Sequence, residues 1–162
     1  MEIAKLGISS INQFVRLAAS GLLHLRRDRL GALYSIDHGG NYTIFRETVS
    51  DKETRDKPVV LVVGFRLKVI RSSPFFHWLF QRLCILTTPF WSGFPGFRVK
   101  LWMVNPKTKD YLGIYRWEGE KNARIYVKAL EKILNFVSTG GPVWYKIVID
   151  TEFEKYLSLR AS

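Results

Sequence analysis

Apolar positions along the second part of the chain switch between two periods. PVVLVVGFRLKVI (58–70) is a β-branched run that opens at Pro58 and carries Gly64 in its middle. FRVKLWMVN (97–105), YLGIYRWEG (111–119) and VWYKIVID (143–150) alternate or run apolar over strand lengths. These four segments predict strands. The turn-forming stretch NPKTKD joins the second to the third as a hairpin. SSPFF can start a helix, with Ser72 or Ser73 as cap and Pro74 in the first turn, and HWLFQRLCIL continues it. EKNARIYVKALEKILNFV (120–137) places Ala123, Tyr126, Leu130, Ile133, Leu134 and Val137 on one helical stripe, and Gly140 and Gly141 suit its C-terminal cap. TEFEKYLSL (151–159) predicts a short terminal helix. The order strand, helix, strand, strand, helix, strand predicts a ferredoxin-like α+β fold, with both helices on one face of a four-stranded antiparallel sheet.

The first 57 residues read differently. Ile11, Phe14, Val15, Ala18, Leu22 and Leu25 recur at helical steps and predict a helix over 4–30, with Arg26, Arg27 and Arg29 near its end. DHGG (37–40) is a loop, YTIFRETV (42–49) is strand-like, and SDKETRDK (50–57) is a charged linker. The expected division is therefore an N-terminal helical extension over 1–57 and an α+β domain over 58–162. The helix at 4–30 fits two settings: docking on the domain or on a partner chain, which is the simpler, or peripheral contact with an anionic membrane.

Strand side chains alternate between faces. The core set is expected beneath the helices: Leu61, Val63, Phe65 and Leu67; Phe97, Val99, Leu101 and Met103; Leu112 and Ile114; Val143, Tyr145, Ile147 and Ile149. That assignment sends Arg66, Lys68, Arg98, Lys100, Trp102, Tyr115, Trp117, Trp144 and Lys146 to the bare face. Arg66, Arg98, Trp102, Asn105, Tyr115, Trp117 and Trp144 form the candidate ligand surface. The aromatics would stack on a planar ligand and the arginines would bind a phenolate or carboxylate. The same residues could instead line a dimer interface held by cation–π contacts.

Charge sharpens this picture. The 162 residues carry a formal net charge of +11, which favours anionic partners. The lone cysteine, Cys84, sits in an apolar run and reads as a buried thiol in a reducing compartment. No signal-peptide pattern and no run of membrane-spanning length is present, so a cytoplasmic protein is expected, with membrane-peripheral contact as the alternative. The three histidines, His24, His38 and His77, occupy positions poorly suited to an axial haem ligand. No metal-ligand spacing, phosphate loop or nucleophile–base set stands out. RNA-recognition domains share the element order and stack bases on sheet aromatics, but KDYLGIYRW departs from their signature strand.

The run VVLVVGFRLK, the hairpin VKLWMVNPKTKDYLGIYRWEG and the helix entry EKNARIYVKAL resemble the dimeric α+β barrel superfamily, in particular its small mono-oxygenase branch. In that branch a strand ending in an aromatic–Trp pair passes into a helix, here YRWEGEKNARIY. The resemblance covers residues 58–150. It implies a homodimer through the sheet face and a small-molecule cavity beside the sheet. It also implies a cofactor-independent, mono-oxygenase-like activity on an aromatic or anionic substrate, although the superfamily includes haem-dependent members. A basic RNA-binding or membrane-surface module without catalysis is the competing function.

Overall fold

The computed structural model describes residues 2–36, 40–53, 56–66, 73–137 and 143–149. The expected face of Leu67 and Lys68, the Gly140–Gly141 cap, Ser72 and the terminal helix at 151–159 lie outside the described residues, as do Ile133, Leu134, Val137 and Ile149 as side chains.

The elements run α1 (Glu2–Ala19), β1 (Leu23–Arg26), β2 (Leu33–Ile36), β3 (Gly40–Ser50), β4 (Pro58–Phe65), α2 (Pro74–Leu86), α3 (Thr88–Ser92), β5 (Phe97–Val104), β6 (Tyr111–Glu118), α4 (Glu120–Val137) and β7 (Trp144–Ile149). From β4 onward the expected βαββαβ order is present. Its four strands lie side by side as β5-β6-β4-β7, all antiparallel. Pro74 occupies the first turn of α2, where its missing N–H costs no hydrogen bond.

The N-terminal third departs from expectation. The helix stops at Ala19, well short of 30, and Gly21 turns the chain at φ 71°. Residues 23–26, 33–36 and 40–50 are strands, so 1–57 is not a purely helical extension. β3 pairs with β5, and β1 and β2 both pair with β3, which makes one seven-stranded sheet. The border expected at 57/58 thus falls in a connection between two strands of the same sheet. Helix α1 docks on α3, as the simpler reading had it. A Cβ on Gly93 would sit 1.7 Å from the Ser10 carbonyl oxygen, and the Ser10 hydroxyl donates to the Phe90 carbonyl. Only glycine permits that approach.

Both sheet faces are buried, and each has its own core. One core joins Leu61, Val63, Trp102, Tyr115 and Trp117 to Cys84 of α2, Trp91 of α3 and Tyr126 of α4. The other joins Val60, Val62, Leu101, Met103, Leu112 and Ile114 to Tyr34, Ile36, Tyr42 and Ile44 of the β2–β3 hairpin. Leu101, Ile114 and Val60 are completely shielded within the single chain. Full burial of each such aliphatic side chain is worth about 1.5–3 kcal/mol.

Strand parity is therefore as expected in β4 and β7 and reversed in β5 and β6. Trp102, Tyr115, Trp117 and Lys100 lie beneath the helices; Leu101, Met103, Leu112 and Ile114 lie on the other face. Phe97 stays on the helix side because a register shift between Phe97 and Val99 inserts Arg98 as an extra residue. The physical cause of the reversal is the second cover. The hairpin at 33–44 shields the face that would otherwise be bare, so aliphatic character does not mark the helix side.

Candidate ligand site between the sheet and the helices

The reversal collects a basic, aromatic cluster beneath α2, α3 and α4. β5 contributes Lys100 and Trp102, β6 contributes Tyr115 and Trp117, and β3 contributes Arg46 and Thr48. The pairing Arg46–Trp102 and Thr48–Lys100 follows a register shift between Ile44 and Arg46 in β3. That bulge re-aims Arg46 toward the helix layer.

Lys100 is the centre of the cluster and is 2% exposed. Its ammonium nitrogen lies 3.0 Å from the Trp102 ring centroid, 4.7 Å from Tyr115 and 5.7 Å from Trp91. It donates to the Tyr126 hydroxyl at 3.4 Å. Among the described residues no salt bridge reaches it. Burial holds its ionisation well below the ordinary lysine value, and the Arg46 charge adds to that. Arg46 is itself depressed by burial, and its Nε has no hydrogen-bond partner among the described residues. The Thr48 hydroxyl and the Trp102 and Trp117 indole nitrogens are likewise without one. Two cationic side chains and three further donors thus lie on the helix side of the sheet, and among the described residues no carboxylate pairs with either cation.

The neighbouring groups are held neutral. Burial pushes the Cys84 thiol up to about 12, which agrees with the inert cysteine expected from its apolar run. Burial also raises Tyr126 and Tyr115 above the usual phenol value; their mutual hydrogen bond raises the first and lowers the second. At the α2 end, burial raises Tyr111, and its hydroxyl shares a 2.8 Å hydrogen bond with His77 Nδ1. His77 is half-buried against that ring.

Of the seven residues expected to form the ligand surface, the structure brings together Trp102, Tyr115 and Trp117. They lie on the face opposite to the one expected. The other four are elsewhere. Arg98 is buried and donates to Glu118 at 2.8 Å and to the Glu53 carbonyl. Arg66 is exposed and forms a two-pronged pair with Asp110 at 2.5 and 2.8 Å. Asn105 accepts from the Lys107 and Thr108 amides at 2.9 and 3.0 Å, and so shapes the β5–β6 turn. Trp144 lies on the other face against Gly64, where a Cβ would sit 2.3 Å from its ring. The bare-face pocket is overturned: its aromatics are beneath the helices. Arg46, Thr48, Tyr126 and Trp91 were not singled out as site residues. Arg46 carried one signal, a cation inside the strand-like run YTIFRETV, but only the bulge decides where it points.

A cavity of about 170 Å³ lies away from this cluster, between α1 and the loop after α3, with Gln13, Lys52, Phe94 and Glu118 on its walls. Among the described residues, no group of three or more His, Cys, Asp or Glu side chains is placed to hold a metal.

No family model matches the sequence, and no curated protein matches it. Solved structures do. A major regulator of staphylococcal pathogenesis aligns with TM-score 0.51 at 9% identity, over 70% of this chain and 70% of that one. The chain has a ferredoxin-like fold. A Listeria monocytogenes ferredoxin-fold protein related to antibiotic biosynthesis monooxygenases aligns with TM-score 0.47 at 16% identity, over 84% of this chain and 86% of that one. A Fusobacterium nucleatum protein described as a monooxygenase aligns with TM-score 0.46 at 9% identity; the match takes in 67% of this chain and about half, 49%, of that one. Structural neighbours of this ferredoxin-like chain thus include proteins of the monooxygenase type. These identities establish the fold alone.

Proposed function

We propose that this ferredoxin-like protein binds a small aromatic anion between its sheet and α2, with Lys100 and Arg46 as the anion-binding pair and Trp102 and Tyr115 as the ring-stacking walls. The observation that carries the reading is the placement of Lys100. A buried ammonium is costly unless paired, and ring faces alone compensate it incompletely. A phenolate or carboxylate beside Lys100 and Arg46 would supply the missing charge, and Arg46 Nε would gain its acceptor. A flat aromatic scaffold suits the ring-lined surroundings.

The reaction class that fits such a ligand is cofactor-independent oxygenation. An electron-rich phenol bound as its anion reduces dioxygen directly. One oxygen atom enters the ring carbon as a carbonyl and the other leaves as water with the two displaced hydrogens. For anthrone this balances as anthrone plus O2 giving anthraquinone plus water. Lys100 and Arg46 would stabilise the anion from which the electrons leave.

Titration with 2-naphthoate, followed by tryptophan emission, tests the binding step. The reading predicts saturable quenching, weakened at least about tenfold in K100M and for the neutral 2-naphthamide, about the loss of one charge-assisted contact. Equal affinity in K100M, or no binding at all, contradicts it. Oxygen uptake with anthrone tests the chemical step separately.

A further inference from the structure

Helix α2 is apolar on both sides. Its inner side seats Cys84 in the helix-side core, with Phe80 packed against it. Its outer side presents Phe75 (62% exposed), Trp78 (52%), Leu83 (47%) and Leu86 (73%) to solvent, with Phe76, Leu79 and Ile85 beside them. Phe75 contacts Phe76 and stacks on Trp78 at 6.1 Å, and the Arg82 guanidinium sits 5.3 Å from the Trp78 ring. Scattered apolar side chains on a surface need no explanation, but a contiguous aromatic and aliphatic face along one helix marks an interaction site.

Charge indicates what covers it. Between Asp56 and Asp110 the sequence contains no acidic residue and nine basic ones. Of these, Arg98 and Lys100 are buried and Arg66 is paired with Asp110, whereas Lys57, Arg82 on α2 itself, and Lys107 and Lys109 are exposed. The helix itself has none of the carboxylates that a headgroup layer would repel. A second copy of the chain would bring another formal charge of +11 to the same place, so like charge opposes pairing through this helix. The 13 residues of α2 are too few to cross a bilayer, and no described helix is long and apolar enough to do so. An aromatic, carboxylate-free helix in a strongly basic setting suits the interfacial zone, where Trp and Phe enter the acyl boundary and cations meet lipid phosphates.

We infer that α2 is a docking helix for an anionic membrane surface, lying in the plane of the headgroups with Phe75, Trp78, Leu83 and Leu86 inserted. This goes beyond the ligand reading and does not depend on it. It also differs from membrane contact through residues 4–30. That segment is not one helix, and its helical part, α1, is docked on α3.

Flotation with vesicles tests the inference on the full chain. One vesicle set is pure phosphatidylcholine and the other contains one-third phosphatidylglycerol. The expected result is flotation with the anionic vesicles only, reduced by high salt. The triple variant F75S/W78S/L86S is expected to lose at least about tenfold in vesicle affinity, since three inserted side chains are removed. Because those side chains are exposed, its thermal unfolding should match that of the unmodified chain. The control variant I8S/I11S/V15S, on the exposed side of α1, should float normally. Three outcomes overturn the inference: no flotation of the unmodified chain, equal flotation of the α2 variant, or loss of flotation only in the α1 variant. A dimer that forms without vesicles and dissolves in the α2 variant overturns it as well, because a second copy then covers the helix.

Discussion

The ammonium of Lys100 rests 3.0 Å from the ring centroid of Trp102, its neighbour but one along β5, inside a core closed over by three helices. That contact sets both the chemistry and the weakness of this protein. It compensates a charge that burial would otherwise make prohibitive, yet leaves the charge without a counter-ion.

One consequence concerns pH. The folded Lys100 amine ionises below the ordinary lysine value, so the unfolded chain binds more protons between the depressed value and about 10.4. Its contribution to stability must therefore rise with pH through that window. Urea unfolding of the unmodified chain and of K100M at several pH values should show a gap that narrows as pH rises. At neutral pH K100M is expected to be as stable as the unmodified chain or more so. A gap that widens with pH contradicts the placement.

Cys84 acts with the opposite sign. Its thiol is pushed up to about 12, so the unfolded thiol ionises first and the stabilising contribution fades between the ordinary thiol value and 12. C84A should flatten the alkaline loss in that range. In the native protein the thiol should resist an aromatic disulfide reagent at mildly alkaline pH and react only after denaturant is added.

The reversed strands give a mutational contrast. Trp117 is fully shielded, whereas Trp144 is 41% exposed. Trp117→Ala is expected to cost about 3–5 kcal/mol in denaturant unfolding. Trp144→Ala should cost much less. Similar losses at both positions would contradict the assignment of Trp117 to the helix side.

The two arginine–carboxylate pairs should also separate. Glu118→Ala leaves Arg98 buried beside an empty partner site and should cost about 3–5 kcal/mol. Asp110→Ala breaks the exposed Arg66 pair and should cost less than about 1 kcal/mol. Thermal unfolding of both variants checks the difference.

Much of the fold could be read in the sequence because local signals agreed. Pro58, Pro74 and the NPKTKD turn fixed element starts and stops from 58 onward, and Gly64 with its β-branched neighbours made β4 plain. The site could not be read as well. Alternation in β5 and β6 correctly separated Lys100 and Trp102 from Leu101 and Met103. Choosing which set met the helices required knowing that the other face was covered too. The cover comes from Tyr34 and Ile36 of the four-residue β2, too short to stand out as a strand, and from Tyr42 and Ile44 of β3, whose strand character was legible in YTIFRETV but whose pairing with β2 and β5 was not. The bulges at Arg98 and at Phe45–Arg46 were equally silent, since an extra residue in a strand leaves no mark on apolar periodicity. Arg46 consequently went unrecognised until β3 was placed against β5.

The placement of Lys100 is tested most directly by its own titration, followed by carbon-13 NMR of its Cε with K100M for assignment. The expected midpoint lies well below that of the solvated lysines and moves upward when 2-naphthoate is added, because an anion beside the amine favours its charged form. An ordinary midpoint, or one that 2-naphthoate leaves unchanged, would contradict it.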